Sequence, residues 1–468
     1  MPIFLDTPAA SLTYTFDDTW TYGEWYFLDG NDHITMANAP LHGWEWVDLG
    51  SGDDWLLLVN PTGIFYGGLG NDTIFGGDQN QHILGGAGDD ELHGGDSFAA
   101  VPDILEGGTG DDYLWGEGGD DDLSGDSGDD TLNGGEGYDI LDGGSGNDDL
   151  WGFENSDELS GGSGNDNLHG GDAMDALEGG TGNDNLRGDL GSDELYGGSG
   201  QDTLDGSFGY DTLDGGAGND DLWGWEDADT LTGGTGNDYL NGGTGNDKLY
   251  GGDGSDRLDG GAGNDRMAGD DGNDTYWVGE AGDRVLEHAG EGNDTIWTGI
   301  SKTIDANVEN MYMFGKGDIN AKGNALSNGM GGGEGRNIVD GSSGNDTVGG
   351  WTNNDTLIGG AGKDAFYFDF KGVSNADHIK DFSVKDDTIW LERSLFTGIA
   401  TADKTVLKAA QFWASKTGTA HDASDRILYN TTNGKLYWDP DGKGGVAAEH
   451  FATIDNHAAL TAVDFLLV

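Results

Sequence analysis

From Gly67 to Gly269 the chain repeats itself every nine residues. It reads GGLGNDTIF, GGDQNQHIL and GGAGDDELH from Gly67, then GGTGDDYLW, GEGGDDDLS and GDSGDDTLN from Gly107. A stretch around Ser97 to Pro102 disturbs the count by inserting about four residues. A shorter array of GGEGRNIVD, GSSGNDTVG, GWTNNDTLI and GGAGKDAFY starts at Gly332, and LGSGDDWLL at Leu49 is a degenerate earlier copy. So regular a period dictates a stacked architecture, because one repeat cannot bury its own apolar face. Gly supplies 91 of 468 residues and Pro only 6, so the glycine belongs to the repeat, not to collagen or a Pro/Gly linker.

Within one repeat, three residues such as Thr131-Leu132-Asn133 predict a short strand with the middle residue pointing inward. The six-residue GGxGxD segment must turn sharply, and glycine permits backbone conformations closed to other residues. Two strands and two turns then make one coil, and coils stacked at about 4.8 Å bury a continuous row of Leu. The alternative of a disordered acidic tract does not account for the regular inward Leu. The predicted fold is all-β, a thin parallel β-solenoid.

The pattern GGxGxDxUx is similar to the RTX, or hemolysin-type calcium-binding, repeat, whose family fold is a calcium-filled parallel β-roll. The resemblance implies a calcium-bound β-roll with irregular β caps at both ends. The expected divisions are an aromatic-rich N-terminal cap with degenerate repeats (1–66), the main roll (67–277), an irregular β connector (278–331), a second short roll (332–370), and a C-terminal cap with a secretion signal (371–468).

The loops explain the metal. Lys+Arg number 20 against 88 Asp+Glu, a net charge of −68. Asp112, Asp130, Asp148, Asp166, Asp184, Asp202, Asp220, Asp238, Asp256 and Asp274 recur every 18 residues, one coil, and so stack in a column. Asp72, Asp90, Asp121, Asp139, Asp193, Asp247, Asp265, Asp346, Asp355 and Asp364 complete the candidate ligands. Unpaired carboxylates a few ångströms apart repel by roughly 1–4 kcal/mol each. Ca²⁺ reverses that sign, taking six to eight oxygens at about 2.3–2.6 Å in flexible geometry, whereas Mg²⁺ demands a smaller octahedron. Roughly 12–20 ions offset about half of the negative charge. Binding free energy then becomes folding free energy, so the chain should be expanded without calcium.

Successive repeats alternate between two edges. Loops starting at Gly107, Gly125, Gly143 and onward in steps of 18 keep Gly at the fourth position and Asp at the sixth. The intervening loops read GGEGYD, GFENSD, GGDAMD, GDLGSD, GSFGYD and GWEDAD, losing glycines and gaining Tyr138, Phe153, Met174, Leu190, Phe208, Tyr210 and Trp225. One edge is expected to be saturated with calcium and the other poorly occupied. The apolar residues are read either as relaxed drift or as a contact surface. Trp115, Trp151, Trp223 and Trp277 are expected on an outward strand face.

The N-terminal aromatics, Tyr14, Phe16, Trp20, Tyr22, Trp25, Tyr26, Phe27, Trp44, Trp46 and Trp55, read as a packed cap or as a sugar- or partner-binding surface. DHIKDFSVKDDTIWL from Asp377, DRILYNTTNGKLYWDPDGKGG and AVDFLLV resemble the terminal segment of serralysin-type RTX proteins. That resemblance implies type I secretion from a Gram-negative bacterium and agrees with an N-terminus lacking a signal peptide. Asp439 and Asp441 in DPDGKGG form a turn or bind calcium.

The charge excludes nucleic acid and anionic membrane as electrostatic partners. No apolar run reaches the roughly 18 residues of a membrane helix, and Cys is absent. No enzyme is expected. HExxH is missing, the 10 His show no metal-ligand spacing, and GDSGDD at Gly125 lies in phase as a repeat loop. The expected role is a secreted structural or surface assembly subunit whose partners are calcium and further copies of itself. The alternative is an adhesin-like module for a surface glycan. Ice binding is disfavoured because Ala217, Asp253 and Asp271 interrupt the regular Ser/Thr row.

Overall fold

A computed structural model describes residues 3–5, 13–16, 24–27, 29–36, 46–59, 62–96, 101–372, 374–399 and 405–468. They fall into two compact units, Met1–Asp253 and Gly254–Val468. The chain is an all-β parallel β-solenoid, as its period requires.

Within the first unit the ladders are parallel, joining strands one coil apart. Leu150 lies opposite Leu168 and Leu168 opposite Leu186 on one sheet, while Leu159, Leu177 and Leu195 align on the other. These leucines are at most 1% exposed, so the two rows are the core. Burial of each is worth about 1.5–3 kcal/mol, gained only when the neighbouring coils are present.

Many strands run six residues, not three: Thr131–Glu136 and Asn167–Asp172 carry the glycine pair inside the strand. The inward alternation simply continues past Leu onto the first glycine, where no side chain fits. A Cβ on Gly161 would lie 2.5 Å from Oδ2 of Asp166.

Across the insertion the paired offset becomes 22 residues, with Leu92 opposite Leu114, and the register is otherwise kept. Residues 97–100 of that insertion lie outside the described set. The N-terminal degenerate repeats extend the same sheets, with Trp25 opposite Val47 and Ile34 opposite Leu56. The reading of the N-terminal aromatics rests partly on Trp20, Tyr22 and Trp44, also outside the described residues.

In the second unit the segment expected to be an irregular connector is itself coiled. Tyr276, Ile296, Met311, Met330, Val348, Phe366 and Ile389 face one another in order along one parallel ladder. The inward apolar residue is retained although coil lengths vary, which hid the repeat. The C-terminal segment adds antiparallel strands: Lys435–Trp438 pairs with both Ile427–Asn430 and Glu449–Ile454. Phe465–Leu467 joins the main ladder beside Thr388–Leu391. Phe451, Phe465 and Leu467 are fully buried there, covering apolar surface that a solenoid otherwise leaves open at its end. No helix among the described residues is long and apolar enough to cross a membrane.

Candidate metal centre

The sixth loop residue is held by its own neighbours. The backbone N–H of Asp112 donates to Oδ1 of Asp130 at 2.8 Å, Asp130 to Asp148 at 2.8 Å, and Asp148 to Asp166 at 2.9 Å. In the first unit this column begins at Asp32 and runs through Asp54, Asp72 and Asp90 before Asp112. A second column runs from Asp103 through Asp121, Asp139, Asp157, Asp175, Asp193, Asp211 and Asp229 to Asp247. In the second unit Asp256 donates to Asp274, Asp265 to Asp283, and Asp346 to Asp364. Asp355 donates likewise to Asp377.

All twenty candidate aspartates of the sequence reading lie at such positions, each at most 2% exposed. One oxygen is thus engaged by an amide. The other, Oδ2, is buried without a hydrogen-bond partner in sixteen of them, among them Asp112, Asp148 and Asp193. An orphaned buried carboxylate oxygen is costly, and repeated along two columns it demands a cation or a proton. Burial pushes Asp130 and Asp148 up to about 7 and Asp157 to about 8, with neighbouring column charges adding to the rise and the donated amides opposing it. Oxygen-only, anionic and closely stacked, these donors suit a hard dication such as Ca²⁺.

The two edges share one carboxylate geometry. Asp139 and Asp157 on the degenerate edge make the same bond as Asp130 and Asp148 on the regular one, at 2.8 Å, and are buried to the same degree. The expectation of a poorly occupied second edge therefore has no counterpart in carboxylate geometry. Asp54, Asp103, Asp157, Asp175, Asp211 and Asp229 share this arrangement, although their loops depart from GGxGxD. In the loops of Asp157, Asp175, Asp211 and Asp229 the backbone stays left-handed without glycine. Phe153, Ala173, Ser207 and Trp225 hold φ of +78°, +86°, +69° and +75°, the left-handed region that glycine occupies on the other edge. Among the described residues of the first unit nine non-glycines have positive φ, and eight lie on this edge, Asp126 being the exception.

Some expectations shift. Trp115, Trp151, Trp223 and Trp277 do face outward but are half-buried by stacking. His93 lies 4.5 Å from both Phe75 and Trp115, and Trp151 lies 4.0 Å from His169. Asp439 closes a turn, accepting the N–H of Gly442 at 2.8 Å.

Comparison with known proteins adds the family. The sequence model of the RTX calcium-binding nonapeptide repeat (4 copies) matches residues 66–97, 102–285, 288–301 and 331–366, more than half of the chain. The solution structure of the AlgE6R3 subunit from the Azotobacter vinelandii mannuronan C5-epimerase is similar at 19% identity, covering 36% of this chain and 83% of that one, with a TM-score of 0.21. A search of curated proteins finds no match. Period, buried aspartate columns and family match converge: the chain belongs to the RTX calcium-binding nonapeptide repeat family.

Proposed function

We propose that the aspartate columns hold Ca²⁺ between successive coils, and that the loaded roll acts outside the cell as a structural or surface assembly subunit. RTX repeats bind calcium at multiple sites; the column aspartates are our choice of ligands. The carrying observation is the row of buried carboxylates with one oxygen bonded and one orphaned. A bound dication satisfies that oxygen and removes the column's repulsion, while the amide from the preceding coil fixes the carboxylate's rotamer. Calcium-poor conditions then favour the expanded chain, which suits export before folding. The C-terminal segment would be read as a type I signal in that state, since Phe465 and Leu467 are buried once folded. No catalysis forms part of this reading.

Assembly is supported by the second edge. Tyr138, Phe153, Met174, Leu190, Phe208, Tyr210 and Trp225 are 44–65% exposed on successive turns, whereas the described first-edge loops between Gly107 and Asp253 carry no exposed large apolar residue. A row of this kind is unusual on a monomer and fits a second copy. Sedimentation velocity tests it: particles should grow with millimolar Ca²⁺ and disperse with EDTA or in a Phe208→Glu/Trp225→Glu variant. A chain that stays monomeric at high concentration with calcium would overturn the assembly role.

The second reading, a glycan-binding module, is favoured by a groove of about 530 Å³ in the second unit. Tyr312, Trp351, Tyr367 and Trp390 line it beside Glu392, and Tyr312 stacks on Trp351 at 6.0 Å. Flat rings beside a carboxylate suit a sugar face and its hydroxyls. A glycan array on which the full chain and Trp351→Ala give equal, background signal removes this reading.

A further inference from the structure

Glu287 lies between the strands Thr275–Val278 and Thr295–Thr298, at a position the nonapeptide match skips. Its side chain is nonetheless directed at the column. One oxygen from each of Asp274, Glu287 and Asp294 lies within 4.8 Å of the other two, and all three residues are buried. That span is about twice a Ca²⁺–oxygen distance, so the three oxygens fit on one coordination sphere.

The remaining bonds of the cluster define its open valences. Asp274 Oδ1 accepts the N–H of Asp256 at 2.8 Å, and Asp294 Oδ1 accepts that of Asp274 at 3.0 Å. Glu287 Oε1 accepts the N–H of Gly269 at 3.3 Å and the hydroxyl of Tyr276. Tyr276 occupies the inward position that Leu fills elsewhere and is fully buried, so its hydroxyl fixes the glutamate from the core side. Asp274 Oδ2 and Glu287 Oε2 are left buried with no hydrogen-bond donor, in residues 1% and 9% exposed, and the further side chain beside Glu287 is another carboxylate, Glu291. A hydrogen-bonded structural cluster would not leave two carboxylate oxygens unserved in one place.

We propose that Asp274, Glu287 and Asp294 together bind one Ca²⁺, at a site completed by a glutamate from outside the repeats. The proposal rests on the column aspartates being calcium ligands and adds to them a third carboxylate. More anionic ligands on a rigid frame raise calcium affinity, so this ion should be the last removed. Tyr276 is a positioning residue here.

Native mass spectrometry of the full chain across a chelator series tests it. Wild type should retain one Ca²⁺ after the others are stripped, and Glu287→Gln should bind one ion fewer at saturation while Tyr276→Phe keeps the full count. If Glu287→Gln does not fold by circular dichroism, Glu287→Asp keeps the charge but shortens the reach, and the last ion should then bind about tenfold more weakly. Normal column loading with an unchanged count or affinity in these variants overturns this site alone. A wild-type chain that binds no calcium overturns the column reading and this site with it.

Discussion

The side-chain amide of Asn337 donates to the carbonyl oxygen of Ile319, one coil back, at 2.7 Å. Its backbone N–H meanwhile donates to Oδ1 of Asp355 at 2.7 Å, as a column aspartate's would. Asn337 stands at the sixth loop position, where an amide brings its own donors and a carboxylate brings only acceptors. The same substitution recurs at Asn328, whose amide donates to the Glu309 carbonyl at 3.1 Å. Where the charge is missing, an amide N–H bonds the neighbouring coil instead.

Asn337→Asp should therefore make the second unit more dependent on calcium. In EDTA it leaves the Ile319 carbonyl without its donor and adds a buried charge, at a cost of roughly 1–3 kcal/mol. Millimolar Ca²⁺ should recover most of that loss. Thermal melts in the two conditions check it; equal destabilisation in both would count against cation binding at this loop.

Acid should partly substitute for calcium. Asp148 and Asp157 are raised from 3.8 to about 7 and about 8, chiefly by burial. The metal-free folded chain thus binds protons more tightly than the unfolded one. Its stability is fully present below about pH 4 and is lost as pH rises through 7 to 8. In EDTA, far-ultraviolet circular dichroism should gain sheet signal as pH falls from 8 towards 4. With calcium the signal should already be present at pH 8.

Leu168 is fully buried between Leu150 and Leu186. Leu168→Ala should cost about 2–5 kcal/mol in the calcium-loaded state, since neighbouring coils are pinned in register and close the cavity poorly. A calcium-saturated thermal melt measures it.

The two edges should respond oppositely to the same pair of residues. Ala173 holds φ at +86°, so Ala173→Gly should stabilise by about 1 kcal/mol. Gly164 holds φ at +143°, and an added Cβ would lie 1.4 Å from the Gly146 carbonyl oxygen. Gly164→Ala should disrupt its coil outright. Melting temperatures of the two variants against wild type decide the matter.

Period, inward Leu and sixth-position Asp were legible in sequence because each is a single residue type at a fixed step. Asp157, Asp175, Asp211 and Asp229 are less legible, since their loops lack one or more of the glycines that mark the regular edge. Phe153 and Trp225 show that other residues adopt the same backbone when both neighbouring coils impose it. The coils between Tyr276 and Met330 leave no period in the sequence because the spacing of their inward residues is unequal. Glu287 had no signal at all, lying outside any repeat and meeting Asp274 only through folding.

Because Asp148, Asp166 and the regular column around them each donate their backbone N–H to the residue 18 places on, each coil of that stretch is an interchangeable module with a front and a back. Gene duplications or deletions of that length would pass almost unnoticed, splicing like onto like. A loss of nine would transpose the two faces downstream of the scar, setting the oily turns above the plain ones. Within that regular stretch, variation in length should therefore arrive in pairs of repeats.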